Sequence, residues 1–110
     1  MKTPGLFDLT GRVAVVTGGN GGIGRGIALG LAQAGAAVAV LGRNEEKNRR
    51  VLSELKAIGV PSLTLKVDMN DRAALEPALN RVESELGSVS ILVNNARNVS
   101  LSGGRAERKA

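Results

Sequence analysis

Residues 12–24 read RVAVVTGGNGGIG, and this stretch decides the fold. Arg12–Thr17 contains a short, continuous apolar run rich in β-branched residues, which is typical of a strand buried on both faces of a parallel sheet. The GGNGGIG segment that follows is too rich in glycine for a helix or a strand and predicts a loop. From Ile23 onward apolar residues recur at helical spacing, so strand, glycine turn and helix follow one another directly.

The same alternation of short apolar runs and helical patterns continues along the chain. Three further strands are predicted: Ala37–Leu41, Leu63–Val67 and Ser90–Val93. In the third of the four strands the apolar residues alternate with Thr64 and Lys66, which we expect on the wetter face. The resulting order, β-α-β-α-β-α-β, predicts parallel strands with helices on both faces of the sheet.

Local signals bound the three helices. Ile23 begins an apolar face on the first helix, which stops at Gly35, and Gly30 within it is expected to pack closely against the sheet. Asn44 is the predicted N-cap of the second helix, and Gly59 ends it.

The third helix carries its apolar residues at positions 75, 79, 82 and 86. Asn70 is its predicted N-cap, and Gly87 ends it. Pro77 predicts a kink or a short first segment, because proline removes one backbone hydrogen bond.

Composition excludes several classes of function. The 110 residues include no Cys, His, Tyr or Trp. A disulfide scaffold, an imidazole base, a phenolic acid or base and the usual zinc ligands are therefore excluded, and no metal site is expected. No apolar run approaches the roughly 20 residues of a membrane helix. With no secretory signal and no cysteine, the cytoplasm is the expected compartment.

The net charge of +5 is concentrated near the end of the sequence. Residues 97–110 hold four basic residues and one acidic residue, and they show neither helical nor strand periodicity. We expect an irregular, solvated basic tail. Nucleic-acid binding is not expected, because Phe7 is the single aromatic residue and no binding motif is present.

The glycine segment has the chemistry of a phosphate site. Its residues match two patterns, TGxxxGxG through Gly18, Gly22 and Gly24 and GxGxxG through Gly19, Gly21 and Gly24. Glycines let the backbone approach a pyrophosphate, and the helix N-terminus offers unpaired N–H groups with partial positive charge. The alternative is a tight turn that needs positive φ and holds no ligand.

These residues resemble the short-chain dehydrogenases/reductases. TGGNGGIG is similar to the dinucleotide loop of that family, Asp68 in LKVDM to its adenine-contacting acid, and ILVNNA at 91–96 to its NNAG segment. LFDLTGRVAVVTGG and LAQAGAAVAVLGRNEEK run closely with bacterial sugar-acid and 3-oxoacyl-type members. The resemblance covers residues 6–96. It implies a partial Rossmann-like, doubly wound parallel sheet of four strands in the order 3-2-1-4 with three helices, before the 97–110 tail.

The resemblance and the glycine turn together predict a dinucleotide site. Its expected residues are Gly18, Asn20, Gly21, Gly22, Ile23, Gly24, Arg43, Asp68, Met69, Asn94, Asn95 and Ala96.

The residue after the second strand bears on the choice of cofactor. An acid about 20 residues past the glycines reads a ribose 2′-OH, whereas an arginine suits a 2′-phosphate. Arg43 therefore favours NADP over NAD, unless it simply pairs with Glu45 or Glu46. Some members of the family carry another basic residue in the glycine loop, but position 21 here is Gly, which weakens the case for NADP.

Two parts of the expected site have structural alternatives. Asp68 could cap the turn after its strand instead of contacting adenine. Asn94 and Asn95 could tie neighbouring strand ends together, whereas the resemblance implies that they lie near the cofactor ribose.

The resemblance ends at Arg97, where the family has glycine. The family's catalytic Ser, Tyr and Lys lie in segments without a counterpart here, so no catalytic residue is predicted. We expect a frameshifted or truncated gene after Ala96, which the coding DNA would test. The predicted function is the NAD(P)-binding portion of a short-chain oxidoreductase, inactive alone. The alternative is a non-catalytic nucleotide-binding or protein-interaction module, which self-associates through an exposed fourth strand.

Overall fold

The computed structural model describes residues 8–18 and 21–95. Its elements are β1 (Val13–Thr17), α1 (Gly22–Gln33), β2 (Ala37–Gly42), α2 (Glu45–Ile58), β3 (Ser62–Lys66), α3 (Arg72–Leu86) and β4 (Ile91–Asn94). The four strands form one parallel sheet in the order β3-β2-β1-β4. The predicted doubly wound fold is confirmed, and each strand lies within one residue of its predicted bounds. Asn20, Ala96 and the 97–110 tail lie outside the described residues.

Alternate residues of the central strands face opposite sides of the sheet. Ala14 and Val16 of β1 pack with buried residues of α1 and α2, including Ala28 and Val51. Val15 and its neighbours face the other way and pack with Val82 and other residues of α3. Because β1 and β2 are fully buried, they need apolar side chains on both faces, which explains their unbroken apolar runs.

Capping residues bound α2 at both ends and α3 at its C-terminus, at the predicted positions. The Asn44 side chain accepts from the backbone N–H of Lys47 at 2.9 Å and caps α2. Gly59 closes α2 in the left-handed conformation with φ of +102°. Gly87, with φ of +113°, ends α3.

Two predictions about α1 are wrong. Ile23 is 78% exposed and does not contribute to the buried face, which is formed instead by Gly24, Ala28 and Ala32. Gly30 is exposed, and a Cβ built there would meet nothing within 4 Å, so it does not pack against the sheet. Successive residues of an α-helix are rotated by about 100°, and both residues therefore lie off the face that is centred on Ala28.

The start of α3 also differs from its prediction. Asp71, not Asn70, is the N-cap, and its side chain accepts from the N–H of Ala73 at 3.1 Å. Asn70 belongs to the preceding turn, since its own N–H donates to Asp68 Oδ1 at 2.9 Å. No short first segment forms at Pro77, because α3 is one helix from residue 72 to 86.

The sheet is covered unevenly. α3 lies against β2 and β3. Ile91 and Val93 of β4 pack on the side of α1 and α2, whereas Leu92, on the side of α3, is 59% exposed. Among the described residues, no helix is long and apolar enough to cross a membrane.

Candidate functional site

The glycine turn joins the carboxyl end of β1 to the first turn of α1. Gly18 has φ of +69° and Gly22 has φ of +58°, values at which a side chain is strained. Gly21 is the N-cap of α1 in an extended conformation. Glycine at positions 18 and 22 is therefore required by the backbone itself, in addition to any ligand.

Gly24 brings α1 into direct contact with the end of β1. A Cβ built on Gly24 would lie 2.3 Å from the carbonyl oxygen of Gly18 and 2.5 Å from Nδ2 of Asn95. Asn95 Nδ2 itself donates to the same Gly18 carbonyl at 3.4 Å. The helix, the glycine turn and the segment after β4 thus meet at one point, where only glycine fits.

Thr17 links the end of β1 to the end of the neighbouring strand β4. Its buried hydroxyl donates to Asn94 Oδ1 at 3.1 Å and lies 3.4 Å from the carbonyl oxygen of Val93. The same Oγ1 accepts from the backbone N–H of Asn95 at 3.0 Å. The strand-tying roles considered for Asn94 and Asn95 are therefore realised. Thr17 itself was missed as a positioning residue, although it opens the TGxxxGxG pattern.

The N-terminus of α1 is suited to an anion. Unlike Asn44 and Asp71 on the other two helices of the described chain, Gly21 provides no side-chain cap. The first turn of α1 contains no acidic residue, whereas Glu45 and Glu46 occupy the first turn of α2. The positive end of the α1 dipole is therefore not offset by a carboxylate of its own turn.

Arg43 lies directly after β2, at the same edge of the sheet as the glycine turn. Its side chain is exposed and forms no salt bridge with any residue of the described ranges. Glu46, one of the two partners considered for it, lies 3.9 Å from Arg50 instead. Arg43 thus presents its charge to solvent beside the site.

Asp68 and Met69 follow β3 at this edge. Asp68 is exposed, and its Oδ1 caps the turn by accepting from Asn70, which is the structural role considered for it. Met69 is partly buried against the cluster on the α3 face. Both residues therefore help to shape the turn after β3.

Lys47 was missed by the sequence reasoning. Its Nζ and Cδ lie 3.9 Å from the position that a Cβ on Gly21 would occupy, so its side chain extends to the glycine turn. The available signal was its place in the first turn of a helix that starts just after Arg43.

One ion pair fixes the two helices on this face against each other. Arg25 Nε of α1 donates to Glu54 Oε1 of α2 at 2.8 Å, and Arg25 Nη2 donates to the second carboxylate oxygen. The hydrogen bond from Arg25 lowers the pKa of Glu54, and burial opposes that effect. The described residues contain no cluster of three or more acidic, His or Cys side chains that could hold a metal ion.

The sequence of this chain is similar to the sequences of known dehydrogenases. The short chain dehydrogenase family model matches residues 12–105. The gluconate 5-dehydrogenase of Gluconobacter oxydans is 40% identical over 96 residues, which are 87% of this chain and 38% of that protein.

Solved structures of dehydrogenases and reductases share the fold of this chain. A dehydrogenase/reductase of Sinorhizobium meliloti superposes with a TM-score of 0.79 and 40% identity, covering 82% of this chain and 36% of that one. The 3-oxoacyl (acyl-carrier-protein) reductase of Agrobacterium tumefaciens, with NADP bound, superposes with a TM-score of 0.74 and 38% identity. The match covers 83% of this chain and 35% of that one.

These relatives are much longer than the part that is matched, because the chain spans little more than a third of the length of each of the three. The family match nevertheless takes in most of this sequence and extends beyond Ala96, where the resemblance ended. The chain therefore belongs to the short chain dehydrogenase family.

Proposed function

We propose that this chain binds a nicotinamide dinucleotide with its pyrophosphate at the glycine turn. The observation that carries the proposal is the uncapped N-terminus of α1, which follows a turn with positive φ at Gly18 and Gly22. Backbone N–H groups there can donate to phosphate oxygens without competition from a side-chain cap. The exposed Ile23 at the same turn offers apolar surface to the bound cofactor.

The remaining predicted residues follow the other strands at the same edge of the sheet, and we propose that they take the other parts of the cofactor. Asp68 contacts the adenine through the carboxylate oxygen that the turn does not use, with Met69 beside it. Asn94 and Asn95 lie near the ribose, and the same role is proposed for Ala96, which is outside the described residues. The support is their common edge: β1, β2, β3 and β4 run parallel, so the residues after each strand converge.

Arg43 favours NADP over NAD within this proposal. It follows β2 without a salt-bridge partner in the described ranges, and a guanidinium forms strong charge-assisted hydrogen bonds with a phosphate. A 2′-phosphate is the group that distinguishes NADP from NAD, so the exposed charge favours the phosphorylated cofactor.

The reaction of the whole family unit is proposed to be oxidation of an alcohol or reduction of a carbonyl, with a sugar acid or a 3-oxoacyl compound as substrate. The bound nicotinamide supplies or accepts the hydride. These 110 residues contain no Tyr, so the catalytic Tyr that the resemblance implies is not among them. We therefore propose that residues 6–96 form the cofactor-binding portion and are inactive alone.

Isothermal titration of the 110-residue chain with NADP⁺ and NAD⁺ tests this function. We expect saturable binding of NADP⁺ that is lost in Gly18→Val, because a β-branched residue cannot adopt φ of +69° without strain. Gly30→Ala is the matched control, since that glycine is exposed and remote from any packed atom. Binding that persists in Gly18→Val would remove the glycine turn from the site.

A second candidate function is protein interaction through β4. This strand pairs with β1 on one side and is the last strand of the described sheet on the other. An open edge next to an exposed apolar side chain, here Leu92, is a template for pairing with another chain. We propose that a second copy of the chain is the partner.

A further inference from the structure

We propose that Lys47 is a second cation for the cofactor's 2′-phosphate and so determines specificity together with Arg43. The inference rests on the proposed dinucleotide function. It concerns a residue of α2 rather than of the glycine turn or of a strand end.

The position of the side chain is the first observation. Nζ of Lys47 lies 3.9 Å from the point where a Cβ on Gly21 would be, although the backbone of Lys47 belongs to the first turn of α2. Because position 21 has no side chain, the ammonium group occupies space beside the turn that a larger residue would fill. It adds a positive charge to the glycine turn from outside it.

The second observation is the direction of the neighbouring acids. Glu46 lies 3.9 Å from Arg50 on the exposed side of α2. Glu45 lines a groove with Arg49 and Lys66, on the side of α2 that faces β3. Each acid of this turn thus has other cations near it. Within the described ranges Lys47, like Arg43, forms no salt bridge.

A third observation fixes the rotation of α2. Asn48 is 4% exposed, and its Nδ2 donates to the carbonyl oxygen of Gly42 at 3.0 Å. Since Asn48 is pinned to the end of β2, the preceding residue is held about 100° away around the helix. The hydrogen bond between Asn48 and Gly42 therefore turns Lys47 toward α1. Gly42 is the last residue of β2 and directly precedes Arg43.

Calorimetry on the 110-residue chain tests the proposal with Lys47→Gln, Lys47→Arg and a control, Lys56→Gln. Lys56 is also exposed on α2 but lies in its last turn. We expect Lys47→Gln to weaken NADP⁺ and adenosine 2′,5′-bisphosphate by about tenfold or more, the size of one charged hydrogen bond. NAD⁺ and 5′-AMP binding should not change, and Lys47→Arg should retain affinity for the phosphorylated ligands.

The outcomes separate the two proposals. If Lys47→Gln weakens NADP⁺ and NAD⁺ equally, or neither, Lys47 does not read the 2′-phosphate and the inference is wrong, while dinucleotide binding stands. A wild-type chain that binds NAD⁺ but not NADP⁺ also contradicts the inference and leaves dinucleotide binding intact. A wild-type chain that binds neither overturns the proposed function and this inference together. Far-UV circular dichroism confirms that each variant is folded.

Discussion

Replacing Gly24 by alanine measures how closely α1 must approach the end of β1. The new Cβ would lie 2.3 Å from the Gly18 carbonyl oxygen and 3.0 Å from the Gly18 carbonyl carbon. Cβ atoms in folded proteins essentially never lie closer than 3.0 Å to such an atom, so the Cβ and the carbonyl oxygen must separate by about 0.7 Å. Since the obstructing atoms are backbone, the helix or the turn has to move. Overpacking of this kind costs about 1–3 kcal/mol.

The same substitution at Gly30 is the matched control. It lies on the same helix, is exposed, and a Cβ there meets nothing within 4 Å. Alanine should stabilise the helix by about 0.5–1 kcal/mol at either site, because glycine loses more backbone entropy on folding. The difference between Gly24→Ala and Gly30→Ala therefore removes the helix-propensity contribution and leaves the packing cost of about 1–3 kcal/mol.

Thermal unfolding followed by circular dichroism at 222 nm is the assay, because the chain has no Trp or Tyr for fluorescence. In a domain of this size each 1 kcal/mol shifts Tm by about 4–8 °C. We therefore expect Gly24→Ala to melt at least about 4 °C below Gly30→Ala and to bind NADP⁺ more weakly than Gly30→Ala does. Equal melting temperatures would show that α1 does not depend on this contact.

Three further results are expected. Arg43→Asp should shift the ratio of the NADP⁺ and NAD⁺ dissociation constants toward NAD⁺ by about tenfold or more, since it removes a charged hydrogen bond to the 2′-phosphate; an unchanged ratio would make Arg43 a surface residue only. The lowered pKa of Glu54 stabilises the fold above the ordinary carboxyl pKa of about 4.3, and this contribution is lost as pH falls through the lowered value. The Tm difference between wild type and Glu54→Gln should therefore shrink toward pH 3, and a difference independent of pH would contradict the ion pair's role. Leu92→Lys should reduce self-association in sedimentation velocity, whereas a wild-type chain that is already monomeric would remove β4 as an interface.

The fold could be predicted from the sequence because its signals are local. A run such as the one in Arg12–Thr17, with apolar residues on both faces, is compatible with a doubly covered strand, and Gly59 and Gly87 mark helix ends by their need for positive φ. These features require no knowledge of the neighbouring element. They therefore located every strand within one residue of its observed bounds.

The errors concern relations between elements. Helical spacing places Ile23 on one face with Ile27, but the face that packs on the sheet is the one that carries Gly24 and Ala28, so Ile23 is exposed. Asn70 and Asp71 are both good capping residues, and the choice between them depends on the turn that Asp68 closes. Neither outcome is encoded in the spacing of apolar residues.

The sequence pattern located the glycine turn and the strand ends of the candidate site, but it did not identify the Lys47 side chain, which reaches the site from α2. The spacing of four residues places Lys47 in the helical turn after Arg43, but it does not show that the side chain extends to Gly21. Its position depends on the angle between α2 and α1, which the Arg25–Glu54 pair helps to fix. Contacts of this kind arise only when two helices are packed on the same face of the sheet.

The Thr17 hydroxyl has a consequence for the order in which the chain folds. It joins β1 to Asn94, 77 residues away, whereas β1 and β2 pair in the register Val13↔Ala37, 24 residues apart. Closing a longer loop costs more entropy, so β1, α1 and β2 are expected to assemble before β4 docks. Until β4 docks, the carbonyl of Gly18 lacks its amide donor from Asn95. The glycine turn thus reaches its final geometry only when β4 docks, in the last step of folding. A nucleotide bound at the turn would therefore slow the first step of unfolding, in which β4 detaches.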